Sequence, residues 1–266
     1  MLEVEFAQVS DAGLVRDNNE DYLGCVVPQT PEEARTRGWL LALADGVGGQ
    51  HGGEIASSVA VEHLLAGFRK SSPGEPYIAL LPRLIQAANT QVFETGLVTG
   101  PAGICIATTV VACALRFDRA IVSHVGDSRC YLVRQHYAVS LTRDHTISNE
   151  QHRLGLVSAR EAAASETSHF LSRALGNQMF ISVETSEHQI FAGDVVMLCS
   201  DGLHNSISSD DIVKIAGNGS DLGEAAHDLV ALAKDRDGSD NISVQLARVR
   251  SVERVGMYRG RQYKIH

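Results

Sequence analysis

Residues 39–49 read Trp-Leu-Leu-Ala-Leu-Ala-Asp-Gly-Val-Gly-Gly. The apolar run from Trp39 to Ala44 has the length of a buried strand, and it stops abruptly at Asp45-Gly46-Val47-Gly48-Gly49. A rigid strand therefore delivers a carboxylate to the mouth of a flexible loop. The construction recurs: Asp194 to Cys199 is again apolar and again ends in Ser200-Asp201-Gly202. Two strand ends built alike can converge, and the segments around them decide what they carry.

Working outward, Val4 to Ser10 alternates with Val4 and Phe6 on one face, which predicts a half-buried strand before the polar loop Asp11 to Asp21. Downstream of the glycines, Ala56, Val59, Ala60, Leu64 and Phe68 recur at three- and four-residue spacing, a helix over Glu54 to Phe68. A second helix is expected from near Pro82 to Phe93, because proline is tolerated in a first turn. Cys105 to Leu115 alternates as one strand. Ala120 to Val125 and Cys130 to Val133 flank Gly126-Asp127-Ser128-Arg129, which reads as a hairpin. The polar segment His145 to His169 reads as a surface excursion containing a short helix opened by the capping box Ser158 to Glu161. Leu222, Ala225, Ala226, Leu229 and Ala233 mark a helix capped by Ser220, and Ile242, Val244 and Leu246 alternate in a closing strand.

The chain has 266 residues, 44% hydrophobic and 21% charged, enough for one sizeable core over residues 1–250. Residues 251–266 carry Arg254, Arg259, Arg261 and Lys264 against Glu253, the expectation being a loosely ordered basic tail. A net charge of -9 argues against nucleic acid as a partner. The five cysteines form no CxxC pair and read as small core residues in a reducing compartment. No apolar run approaches the ~20 residues that span a bilayer. The acidic start Met-Leu-Glu-Val-Glu resembles no secretory signal, so the expected location is cytoplasmic.

Glu20-Asp21 in the first loop, Asp45 and Asp201 at strand ends and Asp240 before the closing strand offer oxygen ligands, which favour Mg²⁺ or Mn²⁺ over Zn²⁺. The 11 histidines show no metal-binding spacing. Glycine after Asp45 and Asp201 lets the backbone bend, and the Gly46 carbonyl can itself approach a cation. Two cations sharing a carboxylate acidify a water between them, a nucleophile suited to phosphorus. Arg16, in the same loop as Glu20 and Asp21, presents the planar fork that matches two phosphate oxygens.

In their joint order these segments resemble the metal-dependent protein serine/threonine phosphatases of the 2C type, particularly the compact bacterial members. The resemblance rests on Arg16-Asp17-Asn18-Asn19-Glu20-Asp21, Asp45-Gly46-Val47-Gly48-Gly49, Thr108-Thr109, Gly126-Asp127-Ser128-Arg129, Ser172-Arg173-Ala174-Leu175-Gly176, Ser200-Asp201-Gly202-Leu203 and Asp240-Asn241. It runs from Val4 to Val249.

The resemblance implies an α+β fold, a central antiparallel β-sandwich flanked by helices in four α-β-β-α layers, with a binuclear metal site at one end. It implies that Asp45 bridges two cations, that the Gly46 carbonyl binds one, and that Asp201 and Asp240 complete the other. Glu20 and Asp21 support the first directly or through water, and Arg16 holds the substrate phosphate. Asp127 holds a third, looser cation, and His145 to His169 forms a mobile flap. The expected substrates are phosphoserine and phosphothreonine in proteins, set by an opposing serine/threonine kinase, and the expected state is a monomer. Relatives often carry an aspartate where this chain has Asn205, which weakens the third cation, and glycine near Ile106-Ala107. Animal relatives carry a histidine proposed as general acid where this chain has Val47; His51 is the nearby imidazole in sequence. A domain of this fold that binds phosphoproteins without catalysis is the alternative, and the tail is a candidate for docking on an acidic partner or membrane surface.

Overall fold

The computed structural model describes residues 1–48, 52–99, 106–217, 219, 221–253, 255–258 and 261–264. Two antiparallel sheets face each other. One orders β1 (Glu3–Asp11), β11 (Ile242–Ser251), β10 (Val195–Cys199), β7 (Arg129–Arg134) and β8 (Tyr137–Ser140). The other orders β2 (Asp21–Val26), β3 (Trp39–Val47), β5 (Val110–Arg116), β6 (Arg119–Val125) and β9 (Glu184–Gln189), with β4 (Ala107–Thr108) paired to the end of β3. The short α1 (Pro31–Thr36) joins β2 to β3, and α2 (Gly52–Lys70) and α3 (Tyr77–Thr99) cover the outer face of the second sheet.

The uninterrupted apolar runs have a reason: both faces of each central strand are covered. On β3, Leu40, Ala42 and Ala44 pack under α2 and α3, whereas Leu41 and Leu43 fill the space between the sheets. On β10, Val196 and Leu198 meet that same inner layer, and Val195, Met197 and Cys199 face outward. Burying a side chain such as Leu41 completely is worth about 1.5–3 kcal/mol. The excursion folds as α4 (Ile147–Arg153), α5 (Ala159–Ala163) and a 3-10 turn, Glu166–His169. After α6 (Asp201–His204), α7 (Ser209–Ala216) and α8 (Leu222–Arg236) cover the outer face of the first sheet, completing the expected four layers.

Several local expectations are corrected. Strand β3 does not stop at Ala44; Asp45 pairs with Asp21 and Gly46 with Thr108, so the acidic residue is held within the ladder. The Gly126-Asp127-Ser128-Arg129 segment is not a hairpin turn. It carries the chain from β6 in one sheet to β7 in the other, and Gly126 takes φ +109° with Thr109 packed where a Cβ would stand. The alternating run before Leu115 is split at Thr109 into β4 and β5, because Thr109 turns its hydroxyl to the backbone of Asp45. Helix α3 starts at Tyr77 and contains Pro82 in its body, a loss of one helical hydrogen bond offset by the buried row Leu80, Leu81, Leu84, Ile85, Ala88 and Val92.

Asp221 caps α8, accepting from the backbone N–H of Gly223 and Glu224, in place of the expected Ser220. Ser220, Gly49, His51 and Cys105 lie outside the described residues. In the tail, β11 runs on to Ser251, and β12 (Val255–Tyr258) pairs with β13 (Arg261–Lys264), so regular strands stand where a loose segment was expected. Arg254 and Arg259 lie outside the described residues.

Candidate active site

At one end of the sandwich a cavity of about 880 Å³ gathers Glu20, Asp45, Asp127, Asp201 and Asp240 with Arg16. Each acid is delivered by a different junction. The Asp45 N–H donates to Thr109 Oγ1 (3.0 Å), and its carbonyl accepts from Thr108 Oγ1 (2.7 Å) and Thr109 N (2.8 Å). The paired threonines thus fix the backbone beneath the carboxylate. The first turn of α2 presses so closely that a Cβ on Gly46 would sit 2.3 Å from the Gly53 carbonyl oxygen, and one on Gly53 would sit 2.8 Å from the Glu20 carboxylate. No side chain fits at either position. Asp201 opens α6 directly after β10, and Gly202 at its side lets the Asn241 carbonyl approach.

Asn241 ties the opposite wall together. Its Oδ1 accepts from Glu20 N (2.8 Å), while its Nδ2 donates to the carbonyls of Ala12 (3.1 Å) and Asn18 (2.9 Å). The loop carrying Arg16 and Glu20 is therefore folded against the residue that follows Asp240. Arg16 Nη2 donates to Asp240 Oδ2 at 2.9 Å, and that hydrogen bond raises the guanidinium pKa further. Asp127 hangs between the sheets; His204 Nε2 bonds its carbonyl (3.0 Å), and the neighbouring Gly126 N–H donates to His145 Nδ1 (3.2 Å).

The electrostatics are those of too much buried acid. Burial, then Asp21, Asp201, Asp127 and Asp240, pushes Asp45 well above the usual carboxylate range. Burial and then Asp201 raise Asp127 to about 7. Asp201 is raised by burial and by Asp240. Asp21 lies outside the cavity wall, opposite Asp45 in the β2–β3 ladder, and burial raises it to about 7. The hydroxyls of Ser200 and Ser243 act against that shift, yet neither completes a hydrogen bond to the Asp21 oxygens, which have no partner among the described residues. Hard oxygen donors, crowded, raised in pKa and orphaned at Asp21, fit divalent cations such as Mn²⁺ or Mg²⁺.

The structure thus brings Arg16, Glu20, Asp45, Gly46, Asp127, Asp201 and Asp240 to one cavity and places Asp21 behind Asp45. Asn205 lines the same cavity with a neutral amide, and Val47 lines it with an apolar side chain. Sequence reasoning missed two contributors. His169, from the last turn of the excursion, lines the cavity beside Phe170 and Leu171; its place just before Ser172-Arg173-Ala174-Leu175-Gly176 was the available signal. The second is a trio from distant segments, His124, His145 and Glu184, whose ligand atoms lie within 4.8 Å of one another. His124 Nε2 is engaged by the Arg143 carbonyl, His145 Nδ1 by Gly126 N–H, and Glu184 by Arg143. With those partners the trio braces the segment that holds Asp127.

A sandwich that sets clustered carboxylates and a guanidinium at one end is the architecture of a cation-dependent phosphoryl hydrolase. The sequence profile described as Protein phosphatase 2C matches residues 8–242. The serine/threonine phosphatase stp of Listeria monocytogenes is 30% identical over 243 residues, 89% of this chain and 92% of that protein. Among solved structures, the S. agalactiae serine/threonine phosphatase superposes with a TM-score of 0.83 at 31% identity, covering 93% of this chain and all (100%) of that one. The catalytic domain of the serine/threonine phosphatase PstP in complex with 2 manganese ions gives a TM-score of 0.79 at 30% identity, covering 94% and 100%. This chain belongs to the protein phosphatase 2C family.

Proposed function

We propose that the cavity hydrolyses phosphoserine and phosphothreonine in proteins, reversing the action of a serine/threonine kinase. The chain is a metal-dependent serine/threonine protein phosphatase of the 2C type, and the observation that carries the site assignment is the convergence of Asp45, Asp201 and Asp240 with Arg16 in one cavity. Asp45 would be shared by two cations, the Gly46 carbonyl and Glu20 would help hold the first, and Asp201 and Asp240 would hold the second. Asp21, behind Asp45, would support the first from outside the cavity, and Asp127 would hold a third, weaker cation. Bound Mn²⁺ or Mg²⁺ supplies charge neutralisation and the acidification of a water that attacks phosphorus.

The protein's own groups do the rest. Arg16 grips two phosphate oxygens and sets the phosphorus in line with the attacking water. Thr108 and Thr109 keep Asp45 from shifting as charge moves, and Asn241 keeps the Arg16 loop seated. The mobile flap is the excursion that supplies the wall containing Ile147, His169 and Phe170, and it is where protein substrates are distinguished. The phosphoprotein-binding alternative is disfavoured because every carboxylate of the set is retained. No helix among the described residues is long and apolar enough to cross a membrane. A monomer acting in the cytoplasm on phosphoproteins is the working assignment.

Phosphate release from a phosphothreonine peptide by metal-stripped protein, by protein given Mn²⁺ or Mg²⁺, and by Asp201→Ala tests this. Turnover that needs the cation and vanishes in the variant supports the assignment. A folded protein without turnover under any of these cations turns the reading to the binding domain.

A further inference from the structure

The groups assigned so far would activate a water and bind a phosphate, but none of them returns a proton to the substrate. When a phosphoserine or phosphothreonine is cleaved, the bond from phosphorus to the side-chain oxygen breaks and its electron pair stays on that oxygen. An alkoxide is a poor leaving group, so a proton placed on it as the bond breaks lowers the barrier, typically by 10²–10⁴-fold in rate. Arg16 does not release a proton near neutral pH. Val47 has none to give, the carboxylates of Glu20, Asp45, Asp127, Asp201 and Asp240 would be committed to cations, and Asp237 is an aspartate, a residue type that ordinarily holds no proton near neutral pH.

Among the described residues lining the cavity, His169 is the one imidazole. The 3-10 turn that carries it is fixed by Ser165, whose Oγ accepts from Thr167 N (3.2 Å), and by Phe170 N donating to the Thr167 carbonyl (3.2 Å). Its backbone is thereby anchored while its side chain stands exposed. Phe170 and Leu171 continue the same wall, and the carboxylates come from the strand ends that form the rest of it. The charge of His169 already acts on Asp201, where it opposes the stronger effects of burial and Asp240. The other charged groups facing the cavity are Arg16, Glu20, Asp45, Asp127, Asp237 and Asp240, and Glu166 lies on the same turn.

We propose that His169 donates the proton to the departing seryl or threonyl oxygen. The step balances: a water oxygen bonds to phosphorus and gives up one proton to solvent, the phosphorus–oxygen ester bond breaks, and the ring N–H passes its proton to the leaving oxygen. The products are the hydroxyl side chain and inorganic phosphate, and the imidazole is reprotonated from solvent. A donor on the excursion has a further consequence: the segment that meets the protein substrate also completes the chemistry, so a substrate that seats it badly is turned over slowly even when its phosphate is bound. This assignment rests on the phosphatase reading above.

The test compares two substrates of unlike leaving groups, a phosphothreonine peptide and p-nitrophenyl phosphate, at saturating Mn²⁺. The nitrophenolate departs without protonation, so a donor matters little for it. His169→Asn and His169→Ala are expected to lower kcat for the peptide on the order of 10²-fold and to lower the ratio of peptide to aryl turnover by a similar factor. The peptide kcat of the wild type is expected to fall at alkaline pH, a limb both variants lack, and added imidazole is expected to restore part of the peptide turnover of His169→Ala. Equal losses on both substrates would assign His169 to cation or phosphate binding and overturn the proposal, as would variants with wild-type peptide turnover. Wild-type protein inactive on both substrates would instead overturn the phosphatase reading, and this assignment with it.

Discussion

Arg16 and Asp240 stand 2.9 Å apart, guanidinium to carboxylate, although 223 residues separate them in the chain. Both side chains are partly exposed, 53% and 36%, so the pair contributes only about 0–1 kcal/mol to stability. Its value is positional: it holds the guanidinium proposed to grip phosphate beside a carboxylate proposed to hold a cation. Arg16→Met is expected to leave the melting temperature nearly unchanged while raising KM for a phosphothreonine peptide by roughly 10–100-fold. Lysine at the position restores charge without the planar fork, so Arg16→Lys recovers only part of the loss. Steady-state kinetics beside thermal melts check both.

Asp45→Asn removes the carboxylate proposed to serve both cations and is expected to lower kcat by at least about 10³-fold. The same change relieves crowding among Asp21, Asp45 and Asp201, so the metal-stripped variant should melt no lower than the stripped wild type. Calorimetry with and without Mn²⁺ separates the effects: the cation is expected to stabilise the wild type and to lose most of that effect in the variant.

Asn241→Ala deletes the bonds to Glu20, Ala12 and Asn18 together. At about 0.5–1.5 kcal/mol each, with buried groups left unpaired, a loss of roughly 2–4 kcal/mol is expected in urea unfolding. KM should rise as well, because the Arg16 loop loses its seat.

The pH dependence of the metal-stripped protein follows from two opposed sets of groups. Asp21 and Asp127 are raised by burial to about 7 from an ordinary 3.8, so their contribution is fully present below that ordinary value and is lost as pH rises through about 7. His145 and His204 are lowered by burial to about 4 from 6.5, so their contribution is present above 6.5 and is lost as pH falls through about 4. Between pH 7 and 8 the native imidazoles are neutral and most of the titration of the unfolded ones is over, so the carboxyl groups dominate. Over that window the melting temperature of stripped protein should fall, and saturating Mn²⁺ should abolish the fall. A melting temperature that rises with pH there would contradict the assignment of Asp21 and Asp127.

Much of the frame was legible because central strands with both faces covered read as unbroken apolar runs, and because each run ended on Asp-Gly. The Asp-Gly steps at Asp45 and Asp201 and the capping box at Ser158 came from local pattern, and the joint order of the acidic segments from the family resemblance. What escaped was decided by partners far away in sequence. Gly126 to Arg129 looks like a hairpin turn until β6 and β7 are seen to join different sheets. Pro82 reads as a helix start because proline suits a first turn, yet the helix runs from Tyr77 through it, since the buried row on both sides outweighs one lost hydrogen bond. The His124, His145 and Glu184 trio has no sequence signature, since the sheet register and the excursion together create it. His169 was visible only as the end of a polar segment, and only folding that segment over the cavity makes it chemical.

Asp45 rides on β3 of one sheet, whereas Asp201 follows β10 of the other, with Leu41, Leu43, Val196 and Leu198 packed between them. Cations held by both carboxylates would rivet the two halves of the sandwich, and the spacing available to them is set by how the inner layer is filled. Trimming Leu43 or Leu198, neither of them a ligand, would let one sheet slide on the other and loosen the grip on the cations from a distance. The hydrophobic interior of this protein is in that sense the gauge block against which its active site is set.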